Sequence, residues 1–274
     1  MNIADDHPLK NCYKRNRWLP ISVCMLGIMI ASLWIISTPD GFMNKVDAVG
    51  YAVCHRIFSH SFIINGRPMP LCARCTGMYL GALYGTILQF VAGKRKGVFS
   101  RNLLIVLGLM GIFFAIDGLN SFAGLFLEKA PLYSPQNWLR LITGLSMGIF
   151  ISALIYPIFT QTVWRTWQPE SALGSIRSIA ALLTGSILLA IGVLSGFSFI
   201  LYPLALISIA GVLVILTMIY TVIMLMIFKQ ENRYNHFSEL TPVLLSAIVL
   251  MMAQIGLFDW VRLLLTETWN GLPL

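Results

Sequence analysis

The chain has 274 residues, 57% of them hydrophobic and only 11% charged, with a formal net charge of +8. Soluble domains carry roughly 25% charged residues, so this chain has too little polar surface to cover itself in water, and a soluble globular fold is excluded. Its basic residues sit in short loops between apolar runs, a pattern that orients membrane proteins; no nucleic-acid partner is expected.

Crossing the hydrocarbon takes about 20 apolar residues in a helix. After a cytoplasmic tail at 1–18, seven segments qualify: 19–37, 73–92, 102–119, 138–160, 178–198, 203–228 and 241–264. The expectation is an all-α, polytopic transmembrane bundle of about seven spans. It divides into a four-helix region at 19–160, with an outer loop at 38–75, and three further helices at 161–274. The first segment is read as a retained span, because its apolar core is long for a signal peptide and "STPDGF" lacks a small-x-small cleavage site. Gly196 and Pro203 are expected to separate the fifth and sixth segments. The loop "KQENRYNHFSEL", with His236 and Glu239 one turn apart, reads as a solvated connector.

Lysine and arginine set the orientation. Twelve of the 19 basic residues fall in the tail and in alternate loops: Lys10, Lys14, Arg15, Arg17, Lys94, Arg95, Lys96, Arg101, Arg165, Arg177, Lys229 and Arg233. That bias predicts the N-terminus in the cytoplasm and the C-terminus outside. The first outer loop nevertheless keeps Lys45, Arg56, Arg67 and Arg74, which points to a local job for cations on the disfavoured side.

That loop holds the unusual chemistry. "CHRIFSHSFIINGRPMPLCARCTGMYLG" places Cys54, His55, His60, Cys72 and Cys75 within 22 residues and runs directly into an apolar helix. The other cysteines are Cys12, in the tail, and Cys24, inside the first apolar run. Cys72-Ala-Arg-Cys75 lies at a helix start, where free N–H groups and the helix dipole favour thiolate. Thiolate is the form that both binds metal and attacks disulfides. With Cys54 and one histidine, the CxxC makes a Cys₃His set suited to tetrahedral Zn²⁺. Cys54 and His55 are adjacent and hard to aim at one ion, which favours His60 as the fourth ligand and leaves His55 as a proton carrier. Thiol redox chemistry is the second reading, with the CxxC passing electrons onward and Cys54 as exchange partner. A disulfide that only stiffens the loop is the third.

Other polar residues gather at the same predicted end. Asp117 and Asn120 close the third segment, Asn137 and Arg140 open the fourth, and Asp259 and Arg262 close the seventh. Ionisable groups near the hydrocarbon are costly unless paired, and so count as functional candidates. Asp117 with Arg140 is the expected ion pair. Arg56, Arg67, Arg74, Arg140 and Arg262 are expected to line an outer cavity, where guanidinium forks match phosphate or carboxylate. Gly77, Gly81 and Gly85, with Gly144 and Gly148, predict close approach of the second and fourth helices.

The stretches "CHRIFSHSF…GRPMPLCARCTGMYLG", then "DG" at a span end, then "NWLRLITG", resemble an uncharacterised family of prokaryotic polytopic membrane proteins, a domain of unknown function. The resemblance covers about residues 50 to 150. It falls on Cys54, His55, Cys72, Arg74, Cys75, Thr76, Gly77, Asp117, Asn137, Arg140 and Gly144. At His60 it implies an arginine, which returns the fourth-ligand role to His55. It implies a protein of the prokaryotic cell membrane and brings no activity.

Together these readings predict an outward-facing metal centre at the membrane interface, with Cys54, His55, Cys72 and Cys75 holding zinc. His55, Asp117, Arg140 and Arg74 would be the catalytic set of an enzyme acting on an anionic lipid or envelope substrate. Membrane lipids and an anionic small molecule or lipid phosphate are the expected partners. The alternatives are a thiol–disulfide oxidoreductase and a non-catalytic component with a stapled loop.

Overall fold

The structure, a computed structural model, describes residues 18–95, 97, 101–127 and 130–271. The basic tail with Cys12, and Lys96, lie outside the described residues. The chain forms eight α-helices: α1 (Trp18–Ser37), α2 (Phe42–Val53), α3 (Ala73–Ala92), α4 (Arg101–Phe126), α5 (Asn137–Val163), α6 (Ile176–Leu194), α7 (Ser198–Ile227) and α8 (Phe237–Thr266). Helices α3 to α8 are each long and apolar enough to cross a membrane, and α1 meets the test jointly with α2, from which it is bent by 106°. Large apolar side chains face outward along them, among them Ile36, Val91, Ile176 and Leu265, each about 80% exposed. Such a surface is stable only in lipid. The protein is an all-α polytopic membrane bundle.

Two elements depart from the sequence reading. The stretch 38–75 is more than a loop, because α2 lies within it. Val46, Val49 and Tyr51 of α2 are buried, and Val46, Val49 and Val53 recur at helical spacing. The corner before α2 is held by Lys45, whose Nζ donates to Thr38 O at 2.8 Å and Thr38 Oγ1 at 2.9 Å. A two-residue hairpin follows, β1 (Ile63–Ile64) against β2 (Arg67–Pro68). Its turn is Asn65-Gly66, both with positive φ, as a tight hairpin demands. The second departure concerns Pro203, which lies inside α7. The chain breaks at Gly196 alone, whose φ of 72° ends the preceding helix.

Helices α3 and α5 are in backbone contact. A Cβ on Gly77 or Gly81 would strike the carbonyls of Leu141 or Leu145, and one on Gly144 or Gly148 those of Arg74 or Met78. Small residues that let helix axes close together are the main means of association in lipid. This contact fixes the head of α3, and hence the CxxC, against the first turns of α5.

Candidate metal centre

The local chain path explains how the sulfurs meet. Helix α2 ends at Val53, and Cys54 follows in extended conformation. Eighteen residues later Cys72 is the N-cap of α3, its sulfur accepting the Cys75 N–H at 3.5 Å. The Cys72 N–H donates to Cys54 Sγ at 3.3 Å. Backbone N–H groups thus point at two sulfurs, which stabilises negative charge on them. One ligand atom each from Cys54, His55 and Cys72 lies within 4.8 Å of the others. The Cys75 thiol is in hydrogen-bonding contact with both Cys54 and Cys72. All three cysteines are free thiols, in contact and not bonded.

Burial and hydrogen bonding divide the roles of these groups. Cys54 and Cys72 are 6% and 2% exposed, packed among Val46, Val49, Leu71, Ile209, Val212, Met251 and Ile255. Hydrogen bonds from Cys72 and then Cys75 hold the Cys54 thiol well below the usual range. Cys72, which donates to Cys54, is pushed up to about 12. Deprotonation is therefore easiest at Cys54, toward which the other two thiols donate. Burial, aided by Arg74, Arg140 and Arg262, lowers His55 below the usual histidine range. Its Nδ1 accepts the Ile57 N–H at 3.1 Å. A neutral imidazole has one free lone pair, and here that pair is already engaged.

His60, the other ligand candidate, lies outside the group of three. Its ring packs edge-on against His55, with centroids 5.6 Å apart. Burial, and then the charge of Arg140, push it down to about 4.

The arginines surround the centre in ways the sequence did not predict. Asp117 pairs with Arg74, and not with Arg140: Arg74 Nε donates to Asp117 Oδ2 at 3.1 Å, and its Nη2 also bonds the same carboxylate. The reason is register, since in the first turn of α3 Arg74 faces α4, whereas Arg140 bonds Asn137, which reaches the Cys/His loop. Asp117 is fully buried and also accepts from Thr143 Oγ1 at 3.2 Å and Tyr133 Oη at 2.8 Å. Burial and that bond push Tyr133 up to about 12.

The shared cavity of five arginines does not form. Arg56 and Arg67 both pair with Asp47, at 2.7 Å and 2.6 Å. Arg262 lies 3.9 Å over the Tyr51 ring and donates to three backbone carbonyls: Tyr51 at 2.6 Å, His55 at 2.9 Å, and Cys54. It clamps the backbone of Cys54 and His55 to α8. Asp259 accepts from Trp34 Nε1 at 2.7 Å, which joins α8 to α1. Arg140 Nη1 donates to Asn137 Oδ1 at 2.9 Å, and Asn137 in turn donates to Ser59 O at 3.2 Å.

Sequence reading missed Asp47 and Ser121 as partners of these arginines, and Tyr133 as a partner of Asp117. Asp47 was legible, because it and Asp40 are the only carboxylates between residues 38 and 75 and must answer two arginines. No sequence signal points to Tyr133, which a turn carries back over Asp117. The loop "KQENRYNHFSEL" also proves to be packed: Gln230 and Tyr234 are buried. Asn232 N donates to Thr162 O at 2.8 Å, and Tyr234 N to Val163 O at 3.2 Å.

Residues 54–155, which hold the sulfurs, both histidines, Asp117 and Arg140, match the family model "Predicted membrane protein (DUF2085)". An uncharacterised protein of Methanocaldococcus jannaschii is 30% identical over 122 residues, 44% of this chain and 72% of the relative. The chain belongs to this membrane protein family. An uncharacterised protein of Methanothermobacter thermautotrophicus is 33% identical over 102 residues, covering 37% of this chain and 83% of the relative. No solved structure matches the chain. Both relatives are prokaryotic, and the family model covers α3, α4 and most of α5.

Proposed function

We propose that the protein is a metal-binding membrane protein whose centre lies on the non-cytoplasmic face. Cys54, Cys72 and Cys75 supply three sulfurs and His55 the fourth donor. The observation that carries this reading is the convergence of Cys54, His55 and Cys72 ligand atoms within 4.8 Å, with Cys75 against both sulfurs. Three thiolates and an imidazole suit zinc above harder cations. His55 is the displaceable member, because a metal on Nδ1 must first dislodge the Ile57 N–H. A zinc ion held by three sulfurs with a labile fourth donor can admit water or a substrate oxygen, which distinguishes a catalytic site from a closed structural one. The reading therefore extends to an interfacial enzyme. Arg74, locked by Asp117, holds the head of α3 in place; Arg140 and His55 act on an anionic substrate.

Elemental analysis of the purified protein tests this directly. About one equivalent of zinc per chain is expected, lost on Cys72→Ala and weakened but retained on His55→Ala. A metal-free protein whose free-thiol count falls with added quinone would select thiol–disulfide chemistry instead. Reporter fusions after Gly66 and after Gly97 test the face: activity outside for the first and inside for the second is expected.

A further inference from the structure

Beside the sulfurs lies a cavity of about 240 Å³ lined by Ser59, His60, Ser121, Gly124, Ala130, Pro135 and Arg140. It is smaller than the roughly 300–1,000 Å³ of sites for drug-sized ligands. Arg140 is 5% exposed, and its Nε is buried without a hydrogen-bond partner. Removing a guanidinium from water without satisfying its donors is costly. Every other arginine around the centre has a carboxylate or several carbonyls, whereas Arg140 has only the Asn137 amide oxygen. Its Nη1 is engaged there, which leaves the Nε edge of the fork, the edge suited to two oxygens of one anion.

The remaining donors converge from other directions. Ser121 Oγ accepts from Arg74 Nη2 at 3.0 Å, so its own proton is free to be donated. Ser59 and His60 line the same space. Donors from a guanidinium edge, two hydroxyls and an imidazole surround a tetrahedral oxyanion better than a flat carboxylate.

The geometry points to a phosphate-binding subsite in this cavity, with Arg140 as its principal ligand and Ser121 and His60 as supporting donors. The phosphate is either free or the headgroup of a lipid, and the chemistry of recognition is shared. Because the His60 ring contacts His55, a bound phosphate is separated from the sulfurs by two imidazoles, His60 and His55. Its use as a substrate handle rests on the metal reading; phosphate binding itself does not.

The test uses the full chain in nanodiscs of phosphatidylcholine, titrated calorimetrically with inorganic phosphate, with metal content measured in parallel. Saturable binding is expected. It should be weakened about tenfold or more by Arg140→Lys, which keeps the charge and loses the fork, and about threefold by His60→Gln, with metal unchanged in both. In nanodiscs containing phosphatidylglycerol, loss of the phosphate signal together with Arg140-dependent retention of that lipid assigns the site to a headgroup. An unaltered signal assigns it to free phosphate. The inference is overturned if wild type takes up neither ligand, or if Arg140→Lys and His60→Gln both bind as wild type does. A metal-free protein that still binds phosphate through Arg140 sinks the metal reading alone.

Discussion

The two ends of the bundle are closed by different means. At the thiol end, side chains cross between elements: Arg74 reaches Asp117, Arg262 reaches the carbonyls of Tyr51, Cys54 and His55, and Asn137 reaches Ser59. At the opposite end, loops are joined main chain to main chain: Gln168 N to Lys94 O at 2.8 Å, Arg165 N to Tyr234 O at 2.9 Å, and Asn232 N to Thr162 O at 2.8 Å. Lys94 adds one strut there, with Nζ bonded to Asn235 O at 2.6 Å and 3.7 Å over the Trp164 ring. A backbone closure is indifferent to residue type and supplies stability. A side-chain closure costs desolvation at each charge and is specific about what it positions. That difference accords with the proposal of a metal centre at the thiol end.

Substitutions that respect or violate this division test it. Cys72→Ala should have the largest effect, taking zinc from about one equivalent to almost none, since structural zinc sites are worth roughly 10 kcal/mol or more; elemental analysis reads it. Asp117→Ala leaves the half-buried Arg74 without its carboxylate and should cost about 3 kcal/mol, measured by unfolding in mixed micelles, with zinc affinity falling as α3 loses its anchor. Gly144→Ala drives a methyl into Arg74 O and should cost about 1–3 kcal/mol, again lowering zinc affinity, because the same backbone contact positions Cys72 and Cys75. Lys94→Ala should have the smallest effect, roughly 0.5–1 kcal/mol, with metal content untouched. If Lys94→Ala strips zinc, or Gly144→Ala lowers stability and leaves zinc binding intact, the proposed division between the ends fails.

What the sequence made legible follows the same line. All seven apolar segments are helices, because hydropathy is a summed property that tolerates local error. The glycines at 77, 81, 144 and 148 announced the α3–α5 contact, because only a missing Cβ permits it. Cys54, His55 and Cys72 could be grouped by residue chemistry alone. Which cation meets which anion could not: Asp117 is one turn from either Arg74 or Arg140 on paper, and a rotation of α3 decides the matter. The burial of Gln230 and Tyr234 within "KQENRYNHFSEL" was hidden for a related reason, since main-chain bonds to residues 162 and 163 carry no signature in side-chain type. Helix α2 was missed because 12 residues fall below the length at which a span is sought.

The three carbonyls held by Arg262 carry a further consequence. The guanidinium belongs to the last helix, more than 200 residues along the chain from the oxygens it holds. Any tilt or withdrawal of that helix must therefore drag the peptide planes of Cys54 and His55 with it and reorient both donors. A shortened protein ending before Phe237 would keep Cys54, His55, Cys72 and Cys75, yet lose the guanidinium that holds the carbonyls of the first two. Tension on the C-terminal helix would thus be a handle on the affinity of the proposed centre.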